Sequence, residues 1–314
     1  MQPVPSAAQQ PFDPPLGELI ADYEQSLRAD RHSMRTIDWY LAFLREFCSF
    51  AQRPSESASL RHLSTPIVRR WLVALESRPI PPAPSSLAGR VRTLRAFAAW
   101  VQREYDLEQH PLRRLKTPRV PRTIIHSLRD ADVGALLAAA RQGSLGDRDA
   151  ALITFILDTG VRVSEVAGLR MGDVDFENAV CRVVGKGSKE RRVPVGRRAR
   201  RELRRYLAQR RRPPPDAPLF MAEHGEPLTR WGIQKIVRRV AQRAGLQTRC
   251  SPHILRHTFA RAFLTNGGDV FSLQRILGHS PASLDITQRY VELLDEDLRE
   301  VHRRASPMDQ WRSG

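Results

Sequence analysis

Lysine is nearly absent from this basic chain: of 51 Lys and Arg residues only Lys116, Lys186, Lys189 and Lys235 are lysine. A lysine in that background points to a task arginine cannot do. Releasing a proton is one, because a guanidinium effectively never deprotonates. Cysteine is scarce as well. Cys48, Cys181 and Cys250 are odd in number and far apart, which excludes a disulfide framework and suits a reducing cytoplasm. No apolar run approaches the length needed to span a bilayer, and the first fifteen residues lack the basic and apolar regions of an export signal. A Walker-type phosphate loop and a Rossmann fingerprint are also missing, so nucleotide-dependent chemistry has no cradle here.

Acidic residues are outnumbered, 34 against 51, giving a formal charge of +17. A polyanion is the first partner to consider, and nucleic acid fits better than a charge kept for solubility alone. The 314 residues are enough for two domains. Residues 1–14, with four prolines, read as a flexible arm. Helical periodicity then runs through Leu19, Ile20, Tyr23 and Leu27, and again through Ile37, Tyr40, Leu41, Leu44 and Phe47. Ser64-Thr65-Pro66 opens a third helix, and Ser85-Ser86 a fourth holding Leu87, Val91, Leu94, Phe97 and Val101. Residues 15–110 are thus expected to form an all-helical domain. Residues 111–126 read as an extended basic linker whose Arg113, Arg114, Lys116 and Arg119 follow a phosphate backbone.

Residues 127–304 read as a second, mainly helical domain, followed by a tail over 305–314. Strands are expected over Ala179–Val184 and Arg191–Val195, joined by Gly185-Lys186-Gly187-Ser188-Lys189 as a β-hairpin. A very basic helix is expected from Arg197 to Arg212, with Leu203 and Leu207 as a thin apolar seam; a solvated charged face and a phosphate-tracking one remain equal readings of it.

The densest cluster is Ser251-Pro252-His253-Ile254-Leu255-Arg256-His257. Pro252 suits the first turn of a helix, and the i,i+3 spacing brings His253 and Arg256 to one face. An imidazole and a guanidinium together can donate several hydrogen bonds to one phosphate, as a charged phosphoryl-transfer transition state requires. Zinc is the competing reading of Cys250, His253 and His257, but no fourth ligand is evident. Asp173 and Asp175 could pair on a metal, although their surroundings read as a turn entering the hairpin. The expectation is therefore no metal and no cofactor, with His257 packing.

Asp158-Thr159-Gly160-Val161-Arg162-Val163-Ser164-Glu165 resembles the first arginine box of the tyrosine recombinase (phage integrase) family. His253-x-x-Arg256-His257 resembles its second box, Leu277-Gly278-His279 its third, and Thr287-Gln288-Arg289-Tyr290 its nucleophile segment, all in family order. The resemblance covers nearly the whole chain, in the family's two-domain, Xer-like form. It implies a SAM-like, all-helical core-binding domain followed by a mixed α/β catalytic domain with a small sheet, mainly α overall. It also implies a site-specific recombinase that cuts and rejoins DNA through a 3′-phosphotyrosyl intermediate and a Holliday junction, without metal or ATP. By position, Tyr290 is the nucleophile. Arg162 and Arg256 grip the scissile phosphate, with Glu165 supporting the first. Lys186 protonates the leaving 5′ oxygen, His253 and His279 assist, and Lys189 and Arg191 contact DNA.

The implied partners are double-stranded DNA with inverted half-sites and further copies of the chain, a dimer per site and a tetramer in the synapse. The implied setting is a prokaryotic, nucleoid-associated cytoplasm. A type IB topoisomerase shares the chemistry, and a non-catalytic DNA-binding protein is the reading from another class. The chain departs from the family between His279 and Tyr290, where ten residues stand, two more than is usual. After Tyr290, Val291, Leu294, Leu298 and Val301 make one apolar stripe, expected to dock on its own domain or on a neighbouring protomer.

Overall fold

In the computed structural model, residues 12–52, 57–121, 127–185, 189–210, 213–278, 302 and 306 are described. The chain divides into two compact units, residues 1–123 and 124–314.

The first unit is built on α1 (Leu16–Ala29), α2 (Met34–Ala51), α3 (Thr65–Glu76) and α4 (Pro84–Glu104). Ser33 caps α2 by accepting a hydrogen bond from the Thr36 amide at 3.2 Å, and Pro66 occupies the first turn of α3, where its missing N–H costs nothing. The apolar stripes expected on these helices meet in one core around Leu19, Ile37, Leu44, Trp71, Leu94 and Phe97. Trp71 lies edge-on to Phe47 with ring centroids 5.3 Å apart.

Two segments depart from the expected boundaries. The end of the presumed arm is seated: Asp13 accepts from the Arg61 amide at 2.8 Å and from the Ser59 hydroxyl at 2.8 Å, and the Pro14 carbonyl accepts from Leu60 N. The start of the presumed linker also belongs to the domain, because Leu112 and Leu115 are buried in its core. Two apolar side chains at i,i+3 outweighed the surrounding prolines and charges. Arg113, Arg114, Lys116 and Arg119 remain exposed.

The second unit contains α5 (Asp130–Ala140), α6 (Gly146–Thr159), α7 (Val163–Gly168), β1 (Val174–Asp175), β2 (Val180–Val184), β3 (Glu190–Pro194), α8 (Arg197–Ala208), α9 (Arg230–Arg243), α10 (Pro252–Thr265) and α11 (Val270–Leu277). Helix α6 is apolar on most sides and wholly buried through Leu152, Ile153, Phe155 and Ile156, so other helices pack around it. The sheet is antiparallel in the order β1-β2-β3, with Val183 opposite Arg191 and Val184 opposite Glu190. The hairpin therefore has a third, two-residue strand where a turn was expected; Val174 pairs with Cys181 before the chain turns at Asp175. Helix α8 ends at Ala208, short of Arg212. Of its six arginines, Arg200 and Arg204 donate to the Phe176 carbonyl and Arg205 pairs with Asp147.

Candidate active site

The first arginine box is shaped by Gly160, which ends α6 in the left-handed conformation (φ 62°). A side chain there would collide with the Phe259 ring and with Leu277 Cδ2, so only glycine allows the chain to turn this close to α10 and α11. Two residues on, Arg162 stands at the N-cap of α7. Its amide donates to Glu165 Oε2 at 2.8 Å and its Nη1 to Glu165 Oε1 at 3.0 Å. The i,i+3 carboxylate thus both caps the helix and orients the arginine.

The second box lies on α10. Ser251 caps the helix by accepting from Ile254 N, and Pro252 fills its first turn, as the sequence predicts. Arg256 is buried, donating from Nη1 to the Gly160 carbonyl at 2.5 Å and from Nη2 to the Leu277 carbonyl at 2.8 Å. Arg162 Nη2 donates to the next carbonyl, Gly278, at 3.3 Å. Two arginines from distant parts of the chain therefore meet at the C-terminal end of α11. The carbonyls there have no partner within the helix and carry partial negative charge, which offsets the repulsion between the guanidiniums.

His253 is exposed and its Nε2 lies 2.8 Å from Nε2 of buried His257, so one ring donates to the other. Partial burial, and after it the charge of Arg256, holds the His253 imidazole below its ordinary pKa, which favours the neutral ring. His257, expected only to pack, is thus the second ring of a pair. Cys250 is buried and its thiol is pushed up to about 11, which does not suit a thiolate ligand. Asp173 pairs with Arg182 at 2.7 Å, and Asp175 accepts from the amides of Glu177 and Asn178, as in a turn. Among the described residues no three His, Cys, Asp or Glu side chains gather as a metal ion requires.

Arg191, expected to contact DNA, directs its fork at Glu165, at 2.9 and 2.8 Å, and its Nε donates to the Ile276 carbonyl at 2.8 Å. Burial disfavours the charged form of Glu165, but the bonds from Arg191 and Arg162 outweigh it and hold the carboxyl below its usual range. The i,i+2 alternation of β3 that turns Arg191 inward beside Val193 was the available signal. Lys189 is exposed at the foot of the hairpin loop. Lys186, His279, Tyr290 and the apolar stripe after it lie outside the described residues.

Sequence reading passed over a neighbouring groove of about 880 Å³, where Trp231, Lys235 and Arg238 of α9 face Arg249 and His253. Lys235, one of only four lysines, could have drawn attention to it. No helix among the described residues is long and apolar enough to cross a membrane.

Comparison with known proteins agrees with this architecture. Residues 126–297 match the phage integrase family and residues 20–105 match the phage integrase N-terminal SAM-like domain. A tyrosine recombinase XerC from Pelobacter propionicus is 32% identical over 296 residues, covering 93% of this chain and 96% of its own. Among solved structures, the XerH site-specific recombinase bound to a palindromic difH substrate is similar with a TM-score of 0.69 at 20% identity, over 94% of this chain and 85% of that one. A lambda integrase tetramer bound to a Holliday junction gives a TM-score of 0.68 at 16% identity, over 86% and 78%. With both of its halves matched, and nearly its full length shared with a XerC recombinase, the chain belongs to the phage integrase family of tyrosine recombinases.

Proposed function

We propose that this enzyme cuts and rejoins DNA at defined sites through Tyr290, with Arg162 and Arg256 as the clamp on the scissile phosphate. Breaking and rejoining DNA strands is the activity of its family; the assignment of roles to these residues is the proposal. The observation that carries it is the convergence of Arg162 and Arg256 on the successive carbonyls of Leu277 and Gly278, immediately before His279. Arg162 keeps 40% of its side chain exposed, so its remaining N–H groups can meet a phosphate.

In the proposed step, Tyr290 Oη forms a bond to phosphorus as the bond to the 5′ oxygen breaks. The phenol, with an ordinary pKa near 10, must lose its proton, and neutral His253 is able to accept it directly or share it with His279. Lys186 gives a proton to the leaving 5′ oxygen. The phosphotyrosyl ester keeps the energy of the broken bond, so rejoining to a new 5′ hydroxyl needs no nucleotide. The groove lined by Lys235, Arg238 and Arg249 continues the positive surface away from His253 and suits the backbone of bound duplex.

The other four tyrosines support this assignment. Burial pushes Tyr23 up to about 12, Tyr206 accepts from Met221 N, and Tyr40 and Tyr105 pack on the first core. Two copies on inverted half-sites, four in a synapse and exchange through a four-way junction complete the reading. The test uses a duplex carrying the site that the wild-type chain selects from a randomised pool, nicked so that cleavage is trapped. Wild type is expected to form a covalent adduct and Tyr290→Phe none, with both still binding. An adduct persisting in the Phe variant removes Tyr290 from its role.

A further inference from the structure

Arg191 joins three parts of the catalytic unit that the sequence holds far apart. It lies on β3 opposite Val183, at the base of the hairpin whose loop contains Lys186. Its two Nη groups grip both oxygens of Glu165, the carboxylate that orients Arg162, and its Nε holds Ile276 O at the end of α11. The Arg191 side chain is 13% exposed and that of Glu165 is 4% exposed, so the pair is shielded from solvent. Three arginines thus take three successive carbonyls: Arg191 on Ile276, Arg256 on Leu277 and Arg162 on Gly278. Gly278 makes room for this, because a Cβ there would lie 3.0 Å from Cδ, Nε and Nη1 of Arg191.

We propose that Arg191 is a positioning residue for strand cleavage: its guanidinium fixes the carboxylate that aims Arg162 and anchors the end of α11, from which the chain continues to His279 and Tyr290. The inference rests on the reading of Tyr290 and Arg162 given above. A cation already paired with a buried carboxylate releases no phosphate counterion, so Arg191 contributes to the rate of the bound complex and not to DNA affinity. Lysine cannot replace it, because an ammonium lacks the planar fork that spans both Glu165 oxygens while a third donor reaches Ile276.

The experiment compares full-length wild type, Arg191→Lys, Arg191→Gln and the double variant Glu165→Gln/Arg191→Gln on the selected, nicked duplex. DNA affinity across a salt series, the single-turnover rate of adduct formation at saturating protein, and amide hydrogen exchange over residues 273–278 are measured. Affinity within about twofold of wild type and an unchanged salt slope are expected, with adduct formation slowed roughly tenfold in the Lys variant and roughly a hundredfold in the Gln variant. Exchange at 273–278 should quicken in Arg191→Gln, and the double variant should lose little beyond that single one. Lower affinity with a salt slope shallower by about one, and a bound complex reacting at the wild-type rate, would make Arg191 a phosphate contact and overturn the proposal. Lower thermal stability with the wild-type rate retained would overturn it as well. A wild-type chain that forms no adduct removes the nucleophile assignment and this inference together, whereas an active wild type with unaffected variants removes this inference alone.

Discussion

Glu165 is the residue on which the site's electrostatics turn, since it receives Arg162 and Arg191 at once. Its folded carboxyl ionises below the ordinary value of 4.5, so the unfolded chain binds the proton more readily. The stabilisation is therefore complete above about pH 4.5 and is lost as pH falls through the folded value. Melting temperatures of wild type and Glu165→Gln should converge on acidification below that point; a gap independent of pH would contradict the pairing. Gly160 makes a second prediction at this scale. Gly160→Ala adds a left-handed backbone penalty to a clash with Phe259 and should cost about 2–4 kcal/mol, read as a lower denaturation midpoint with an unchanged m-value. The Arg162–Glu165 pair was legible through the resemblance of its box to the family's, and its local i,i+3 spacing is compatible with that pairing. The partners of Arg191 were not legible, because Glu165 and Ile276 are 26 and 85 residues away and a basic residue in a basic hairpin gives no sign of a buried acid.

The elements show the same division between local and distant information. Helices α1 to α4 were legible from apolar spacing and from Ser and Pro at their starts, and α10 from Ser251-Pro252. Strand β1, at two residues, is too short for any alternation to register and exists only because β2 offers an edge. Helix α11 is too short at eight residues to be stable alone. It is capped by Asp269 accepting from Ser272 N at 2.8 Å, and Leu273 and Leu277 are buried against Phe259 and Leu264 of α10. Leu273→Ala should therefore cost about 2–5 kcal/mol and raise hydrogen exchange in α11 ahead of α6. Equal exchange in both helices would show that α11 does not depend on this small cluster.

For the whole molecule, composition indicated a nucleic-acid partner, and the order of four boxes indicated the family. Neither indicated where the first unit ends, because Leu112 and Leu115 are two apolar residues inside a proline-rich, basic stretch. Each unit has its own core, so a fragment of residues 12–121 should fold cooperatively with helical circular dichroism. A fragment ending at residue 110 should melt lower, since it lacks both leucines. Removal of residues 296–314 should reduce recombination more than DNA binding if the apolar stripe after Tyr290 docks on a neighbouring protomer; equal losses would count against that contact. The central claim is that one of five tyrosines, Tyr290, becomes joined to DNA at a phosphate gripped by Arg162 and Arg256. Mass spectrometry of the trapped adduct after proteolysis and nuclease digestion tests it most directly. The account predicts a 3′-phosphonucleotide on the peptide containing Tyr290, and a nucleotide carried by any other residue would contradict it.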